Sequence, residues 1–299
     1  MSAAERRAIA AMVLATLLWG GTFVAIRDAV AAVPPALLVS TRFLGAGILF
    51  ALVLAVRRHW PVRREWRGGA LSGLLMVGGF FLQAVGLKST SAGSSAFLTC
   101  AGTLLAAFWA WLLLRERPGA RLTFGIALAM AGSALLSLRG DFRLGAGELI
   151  TLAGAALFAL QVVAIARFAS TSDPVALVCV QSFVAGAVLL PFALPSVDAL
   201  RTLGGANLAR FTYLLLAGST LAPLLQVVAQ RTLPAGRMGL LFALEPVFAL
   251  VFAVTLGAER FEARWWLGAG LILSAVVMVE WKTSEPAVQG TARPPNGPW

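Results

Sequence analysis

Glu245 is the only carboxylate near the middle of any long apolar run in this chain of 299 residues, and Pro246 follows it. An ionisable group surrounded by hydrocarbon is costly and usually has a function. Here it predicts a carboxyl group that binds the amine of a substrate or carries a coupling proton. The alternative is a structural group, hydrogen-bonded to Gln226 or to backbone amides freed by the proline. The sequence leaves both interpretations open.

Four glutamines also lie inside apolar runs: Gln83, Gln161, Gln226 and Gln230. An amide in hydrocarbon needs a hydrogen-bond partner, so these side chains either contact polar atoms of a substrate or join neighbouring helices. Arg42 is the only cation inside an apolar run. It either attracts a substrate carboxylate or has a structural role, with its stem in the apolar layer and its charge near the interface.

Residues for covalent or metal chemistry are scarce. The only histidine, His59, lies in a basic loop, and the two cysteines, Cys100 and Cys179, lie within apolar runs. No second carboxylate accompanies Glu245 within a run, and no GxxxxGK[ST] phosphate-binding loop is present. The sequence therefore predicts a protein that is not an enzyme, with no catalytic residues, metal site or cofactor, and without direct use of ATP.

The composition indicates a membrane protein, because 59% of the residues are hydrophobic and only 12% are charged, against about 25% charged in soluble domains. The net charge of +11 comes from short loops between apolar runs, which indicates orientation in the bilayer rather than nucleic-acid binding. Ten runs are long enough to cross a bilayer: 9–26, 36–56, 68–87, 93–114, 122–138, 146–166, 175–194, 211–230, 237–257 and 265–281.

The chain repeats itself. At an offset of 143 residues Gln83 matches Gln226, and Glu116-Arg117 matches Glu259-Arg260; earlier in each half the offset is 139. We therefore predict two five-span repeats, 1–138 and 139–281, followed by a disordered cytoplasmic tail, 282–299. Because five is odd, the second repeat must cross the membrane in the opposite sense to the first.

The basic residues orient this topology. Fifteen Lys and Arg fall on the amino-terminal side of the ten spans and eight on the other side, which predicts that both termini are cytoplasmic. Tryptophans at the span ends fit anchors at the membrane interface: Trp60, Trp66, Trp265, Trp266 and Trp281.

Three stretches carry a family resemblance: LLWGGTFVAIR at 17–27, Arg42-Phe43, and LFALEPVFALVFAVTLGAER at 241–260. With the two five-span repeats, they resemble EamA-type members of the drug/metabolite transporter superfamily over nearly the whole chain. The resemblance implies an all-α integral membrane fold, with ten transmembrane helices forming two inverted five-helix repeats around a central cavity. It further implies a secondary transporter of the bacterial inner membrane, working by alternating access, that exports amino acids, other metabolites or drugs. Neutral or aromatic amino-acid exporters are the nearest resemblance.

In such proteins spans 1, 3, 4, 6, 8 and 9 surround the cavity. The resemblance thus suggests substrate-binding residues on these spans: Trp19, Phe80, Gln83, Thr99, Thr103, Gln161, Gln226, Phe242 and Glu245. Bends are expected at Gly20, Gly102, Pro223 and Pro246. Thr103 stands where the family often has proline, so a bend in span 4 must come from Gly102 or from a threonine hydroxyl bonding back to the backbone.

The expected partners are a small-molecule substrate and the lipid bilayer, with the protein functional as a monomer. A channel or a lipid scramblase is the alternative to a carrier, since neither would need catalytic residues.

Overall fold

The computed structural model describes residues 1–137, 145–201, 204–256 and 262–281, and these residues form helices and short connections. The α-helices are α1 (Ala3–Ala29), α2 (Pro35–Val56), α3 (Arg63–Gly86), α4 (Ala92–Cys100), α5 (Gly102–Trp109), α6 (Ala120–Ser137), α7 (Ala146–Ala169), α8 (Pro174–Ala193), α9 (Gly205–Tyr213), α10 (Ala222–Gln230), α11 (Ala235–Phe242), α12 (Glu245–Thr255) and α13 (Arg264–Trp281). A π-helix, Ala110–Leu114, follows α5, and another, Leu214–Leu221, joins α9 to α10.

Length and hydropathy allow most of these helices to cross a bilayer. Within the described residues, nine continuous helical segments are long and apolar enough to do so, and α6 is apolar but shorter. Helices are the expected form because every backbone amide in hydrocarbon must be hydrogen-bonded within the protein. The predicted tail, 282–299, and the Glu259-Arg260 pair lie outside the described residues.

Two pairs of helices pack closely through small residues. A Cβ atom on Gly132 of α6 would lie 2.6 Å from the carbonyl oxygen of Gly268 on α13, so only glycine permits this approach. Between α2 and α8, the Ser40 hydroxyl donates to the carbonyl of Gly186, and the Cys179 thiol lies 3.7 Å from the carbonyl oxygen of Gly47. Under the repeat offset of 139 residues, Ser40 corresponds to Cys179 and Gly47 to Gly186. The two contacts are therefore equivalent, with the roles of the two repeats exchanged.

Gly270 and Ser274, two further small residues at helical spacing on α13, do not take part in such packing. Both residues are exposed, and a Cβ on Gly270 would meet no described atom within 4 Å. Among the tryptophans expected as interface anchors, Trp266 and Trp281 are exposed, but Trp265 is buried, which does not suit an anchor.

Two helices of the bundle are interrupted near their middle. The helix formed by α4 and α5 breaks at Ala101, and the one formed by α11 and α12 breaks at Ala243 and Leu244. Ala101 and Leu244 are 143 residues apart, which is the repeat offset. The break in the first copy forms without proline, so Thr103 does not abolish the similarity between the two central helices.

Ion pairs tie segments together at the ends of the bundle. Arg237, at the start of α11, donates to carboxylate oxygens of Glu5 in α1 and Glu280 in α13. Arg57 donates to Asp173, whose other carboxylate oxygen caps α8 by accepting from the Ala176 amide. Each of these contacts joins segments that ten alternating crossings would place on one side of the membrane.

The electrostatics at Asp173 follow from this geometry. Partial burial opposes ionisation, but the hydrogen bond from Ala176 and the hydrogen bond and charge of Arg57 outweigh it, so the pKa of Asp173 is lowered. The opposite holds at Glu116, in the connection before α6. There burial raises the carboxyl pKa, although the Ala235 amide donates to its side chain.

Candidate functional site

A cavity lies at the centre of the helix bundle, and small-molecule sites are typically such concave, mostly apolar spaces. Its walls come from α1, α3, α4, α5, α7, α10, α11 and α12. The lining residues are Trp19, Thr22, Phe23, Met76, Phe80, Gln83, Thr99, Gly102, Thr103, Ala106, Phe158, Ala159, Gln161, Val162, Gln226, Gly239, Phe242 and Glu245.

The nine residues suggested as substrate-binding all line this one cavity. The contributing helices correspond to spans 1, 3, 4, 6, 8 and 9, the set that the resemblance implies. The neighbouring aromatic residue Phe81 does not line it. Met76 and Phe158 line the cavity but were not predicted, because an apolar side chain in an apolar helix carries no signal that distinguishes a cavity wall from a lipid-facing or packing position.

Glu245 brings the only carboxylate of the cavity lining. It is the first residue of α12, immediately after the break in the helix, and is 5% exposed. No hydrogen bond or ion pair to its carboxyl group occurs within the described part of the chain. The structural interpretation, in which Gln226 or freed backbone amides hold Glu245, therefore lacks its expected contacts.

The amide of Gln226 is instead committed to other partners. Its Nε2 donates to Gln161 Oε1 and to Gln230 Oε1, both at 3.1 Å, and Gln230 Nε2 donates to the carbonyl oxygen of Val162 at 2.7 Å. These bonds join α10 to α7 along one wall of the cavity. Three of the four midspan amides, those of Gln161, Gln226 and Gln230, are thus joined by hydrogen bonds.

Gln83 has different surroundings from its repeat counterpart Gln226. Its Nε2 lies 3.2 Å from the hydroxyl of Thr99, and that hydroxyl donates to the Ser95 carbonyl one turn earlier in α4. Thr103, one turn further along, lies with its hydroxyl 3.8 Å from the sulfur of Met130. The threonine that bonds back to the backbone is therefore Thr99, just before the break at Ala101.

Aromatic rings form much of the remaining wall. Trp19 stacks on Phe242 with ring centroids 5.5 Å apart, and Phe80 meets Phe158 edge to face at 4.8 Å. The indole nitrogen of Trp19 donates to the carbonyl of Gly218 in the second π-helix, at 3.0 Å. This bond leaves the apolar face of the indole ring available to the cavity while its polar atom is satisfied.

The four expected bend positions differ in what they do. Gly102 follows the break at Ala101, Pro223 lies in the first turn of α10 after the π-helix, and Pro246 lies in the first turn of α12. By contrast α1 runs unbroken through Gly20. A Cβ on Gly20 would lie 2.6 Å from the Cβ of Phe248, so this glycine permits close approach of α12 to α1.

Metal-binding clusters are absent from the residues that the structure describes. The cavity offers chemistry of another kind: aromatic and aliphatic contact, a few fixed amides and hydroxyls, and one carboxylate without a partner.

The fold and the cavity together define a multi-pass helical membrane protein with an internal binding chamber. Residues 6–138 and 145–281 each match the model of the EamA-like transporter family, so the chain belongs to that family and is a membrane transporter.

Individual relatives agree with this assignment. A protein named "Uncharacterized transporter" from Archaeoglobus fulgidus is 28% identical over 271 residues, covering 90% of this chain and 84% of its own length. The "Uncharacterized inner membrane transporter YedA" of Escherichia coli K12 is 28% identical over 272 residues, covering 88% and 87%. A protein of known crystal structure superposes with a TM-score of 0.76 over 94% of this chain and 98% of its own, at 20% identity, and supports the fold alone.

Proposed function

We propose that this transporter exports neutral or aromatic amino acids across the bacterial inner membrane as a secondary transporter, by alternating access. The observation that carries the proposal is the composition of the cavity. Aromatic rings are paired around it, and a single carboxylate, Glu245, which has no partner among the described residues, faces a mostly apolar space with a few amides and hydroxyls. A molecule that carries both an ammonium group and an apolar or aromatic side chain satisfies both features. Its ammonium group gives the carboxylate a counter-charge, and its side chain fills the aromatic pocket.

The proposed topology has ten crossings in two inverted repeats, with both termini in the cytoplasm. Helices interrupted near the membrane midplane are typical of secondary transporters, which bind substrate where the repeats meet. The two breaks in this chain lie one repeat offset apart and flank the cavity through Gly102 and Glu245. A monomer contains the whole cavity, so we propose that a single chain is functional.

A second candidate function is the export of lipophilic organic cations, a class that includes drugs. The same observation favours it, because a carboxylate among Trp and Phe rings also suits a cation without a carboxylate. The two functions differ in whether the cargo carries a negative charge as well as a positive one.

Transport into proteoliposomes tests these functions. We expect labelled phenylalanine, leucine or tryptophan to show saturable uptake and counterflow, with and without an imposed pH gradient, while lipophilic cations are transported poorly. Counterflow distinguishes a carrier from a channel, because only a carrier accelerates exchange across the membrane. Saturable transport of cations but of no amino acid would favour the second function.

Cells provide an independent measurement of direction. Overproduction should make cells resistant to toxic amino-acid analogues, since an exporter lowers their internal concentration. If such cells gain no resistance but export nucleotides or sugar phosphates, the proposed function is wrong. A phosphate-rich cargo would need several cations in the cavity, and the lining residues include none.

A further inference from the structure

Arg42 is a fully buried cation without a carboxylate partner in the described part of the chain. It is 1% exposed, and its Nε and one terminal nitrogen find no hydrogen-bond acceptor among the described residues. Its guanidinium carbon lies 4.5 Å from the ring centroid of Phe80 and 5.0 Å from that of Phe43. A buried charge held by two aromatic faces is costly, so a negatively charged partner, which the described residues do not supply, would stabilise it.

Phe80 connects this cation to the central cavity. Its ring lines the cavity and also covers the guanidinium of Arg42, which does not line it. The same ring contacts Phe43 and Phe158 through tilted and edge-to-face geometry rather than through hydrogen bonds. A change of its side-chain rotamer would therefore break no hydrogen bond.

A second buried polar side chain, Gln181, lies behind the cavity wall formed by α3, at the repeat position equivalent to Arg42. Gln181 lies 139 residues after Arg42, which is the repeat offset. It is fully buried in α8, its Nε2 lies 3.0 Å from the sulfur of the cavity-lining Met76, and its Oε1 has no partner within the described residues. Met76 and Phe80 are one turn apart on α3, so neighbouring wall residues each separate the cavity from a buried polar side chain.

We propose that Arg42 is a carboxylate-binding residue of the transport cycle, reached when the Phe80 ring turns aside. The guanidinium then pairs with the carboxylate of a zwitterionic substrate whose ammonium group is near Glu245. This inference rests on the proposed export of amino acids and adds the residue that distinguishes an amino acid from a simple amine. A bidentate guanidinium–carboxylate pair would supply the hydrogen bonds that Arg42 lacks.

The positions along the helices suit a substrate that moves from one group to the other. Ala253 near the end of α12 and Ala92 at the start of α4 belong to the same buried apolar cluster, so the ends of α3 and α12 lie at the same end of the bundle. Phe80 is six residues before the end of α3, and Glu245 is ten residues before the end of α12. At about 1.5 Å per residue, Phe80 and Arg42 are thus roughly 6 Å nearer that end than Glu245.

The test compares phenylalanine with phenylalanine amide, which keeps the ring and the ammonium group but has no carboxylate. We expect wild-type proteoliposomes to prefer the amino acid. Arg42→Met should lower transport of phenylalanine about tenfold or more, the loss expected for a charge-assisted hydrogen bond, and leave transport of the amide nearly unchanged. Ser40→Ala is the matched control, because it removes a buried hydrogen bond from the same α2–α8 interface without touching Phe80.

The outcomes separate this inference from a structural role. If Arg42→Met lowers transport of both compounds equally, or of neither, the inference is wrong. If Arg42→Met does not fold, as judged by gel filtration and thermal stability, Arg42→Lys replaces it. Lys keeps the charge without the bidentate geometry, so it should lower the preference for the amino acid, and an unchanged preference would contradict us.

Access to position 42 is a second measurement that does not depend on the cargo. In a Cys100→Ala, Cys179→Ala background, a cysteine placed by Arg42→Cys should react slowly with an anionic thiol reagent and several-fold faster when Phe80→Ala is added. Equal rates with and without Phe80 would overturn the inference. If the wild type transports neither phenylalanine nor its amide, the proposed function fails, and this labelling still tests whether Arg42 can be reached from the cavity.

Discussion

At the scale of single residues, Glu245 is the group on which the proposed chemistry depends. Its carboxyl group faces the cavity without a hydrogen bond or ion pair from the described residues. Ionisation in such surroundings costs on the order of 3 kcal/mol or more by insertion scales. Glu245 should therefore ionise only when a substrate ammonium group or a hydrated cavity stabilises the charge.

Substitution Glu245→Gln keeps the size of the side chain and removes the charge. We expect the variant to fold normally, while transport of amino acids falls about tenfold or more, since a charge-assisted contact is lost, and loses its dependence on pH. Rates measured in proteoliposomes between about pH 5.5 and 8.5, roughly 1.5 units to either side of neutrality, provide the comparison.

The control is Glu148→Gln, the same change in a carboxylate outside the cavity. The amide oxygen can still accept the hydrogen bond that Thr90 donates to Glu148, so transport should remain close to that of the wild type. Normal transport by Glu245→Gln, with unaltered pH dependence, would remove Glu245 from the mechanism and leave the aromatic rings and amides as the whole site.

At the scale of helices, the packing of α1 on α12 depends on the absence of a side chain at Gly20. A methyl group there would meet the Cβ of Phe248 at 2.6 Å and the backbone nitrogen of Ala249 at 2.9 Å. Neither atom belongs to the flexible end of a side chain, so a helix would have to shift. Because Trp19 and Glu245 belong to these same two helices, such a shift also displaces cavity residues.

We accordingly expect Gly20→Ala to lower the melting temperature in detergent, with a loss of stability of about 1–3 kcal/mol, as for overpacked cores. Gly93→Ala in α4 is the matched control, since a Cβ there would meet no described atom within 4 Å, and it should be neutral or slightly stabilising. Equal melting temperatures for the two variants would show that α12 can move away from α1 at no cost.

At the scale of the whole molecule, the contacts between helices reflect the repeat in the sequence. The Ser40–Gly186 and Cys179–Gly47 contacts exchange under the offset of 139. The two breaks beside the cavity are related by the offset of 143. These relations support the prediction that one five-helix unit was duplicated and that its second copy crosses the membrane in the opposite sense.

Cysteine labelling tests this topology directly. Arg117 and Arg260 occupy equivalent positions of the two repeats, so Arg117→Cys should react from the cytoplasm and Arg260→Cys from outside. Tags fused at Met1 and Trp299 should both report the cytoplasm. The labelling is compared before and after the cells are made permeable to the reagent. Reaction of both cysteines from the same side would contradict the inverted repeat.

The sequence predicted most of the helices and nine of the eighteen residues of the cavity wall, because hydropathy and the repeat register constrain the helices and polar side chains are conspicuous within them. It failed where the two copies diverge. Gln83 and Gln226 share a register, but Gln226 bonds to Gln161, and the position equivalent to Gln161 in the first repeat holds Thr22. The Thr22 hydroxyl bonds to the Trp19 carbonyl within its own helix, so Gln83 pairs with Thr99 instead. Such pairings depend on which helices touch, and a single sequence does not contain that information.

The contacts of Arg237 have a consequence for the biosynthesis of the protein. Glu5 precedes Arg237 by 232 residues, whereas Glu280 follows it by 43 residues and stands one residue before the end of α13. Until α13 leaves the ribosome and inserts into the bilayer, the guanidinium has only one of its two carboxylates. The start of α11 therefore acquires its final anchoring only when α13 inserts, and a nascent chain released before α13 would reach the lipid with the start of α11 incompletely held.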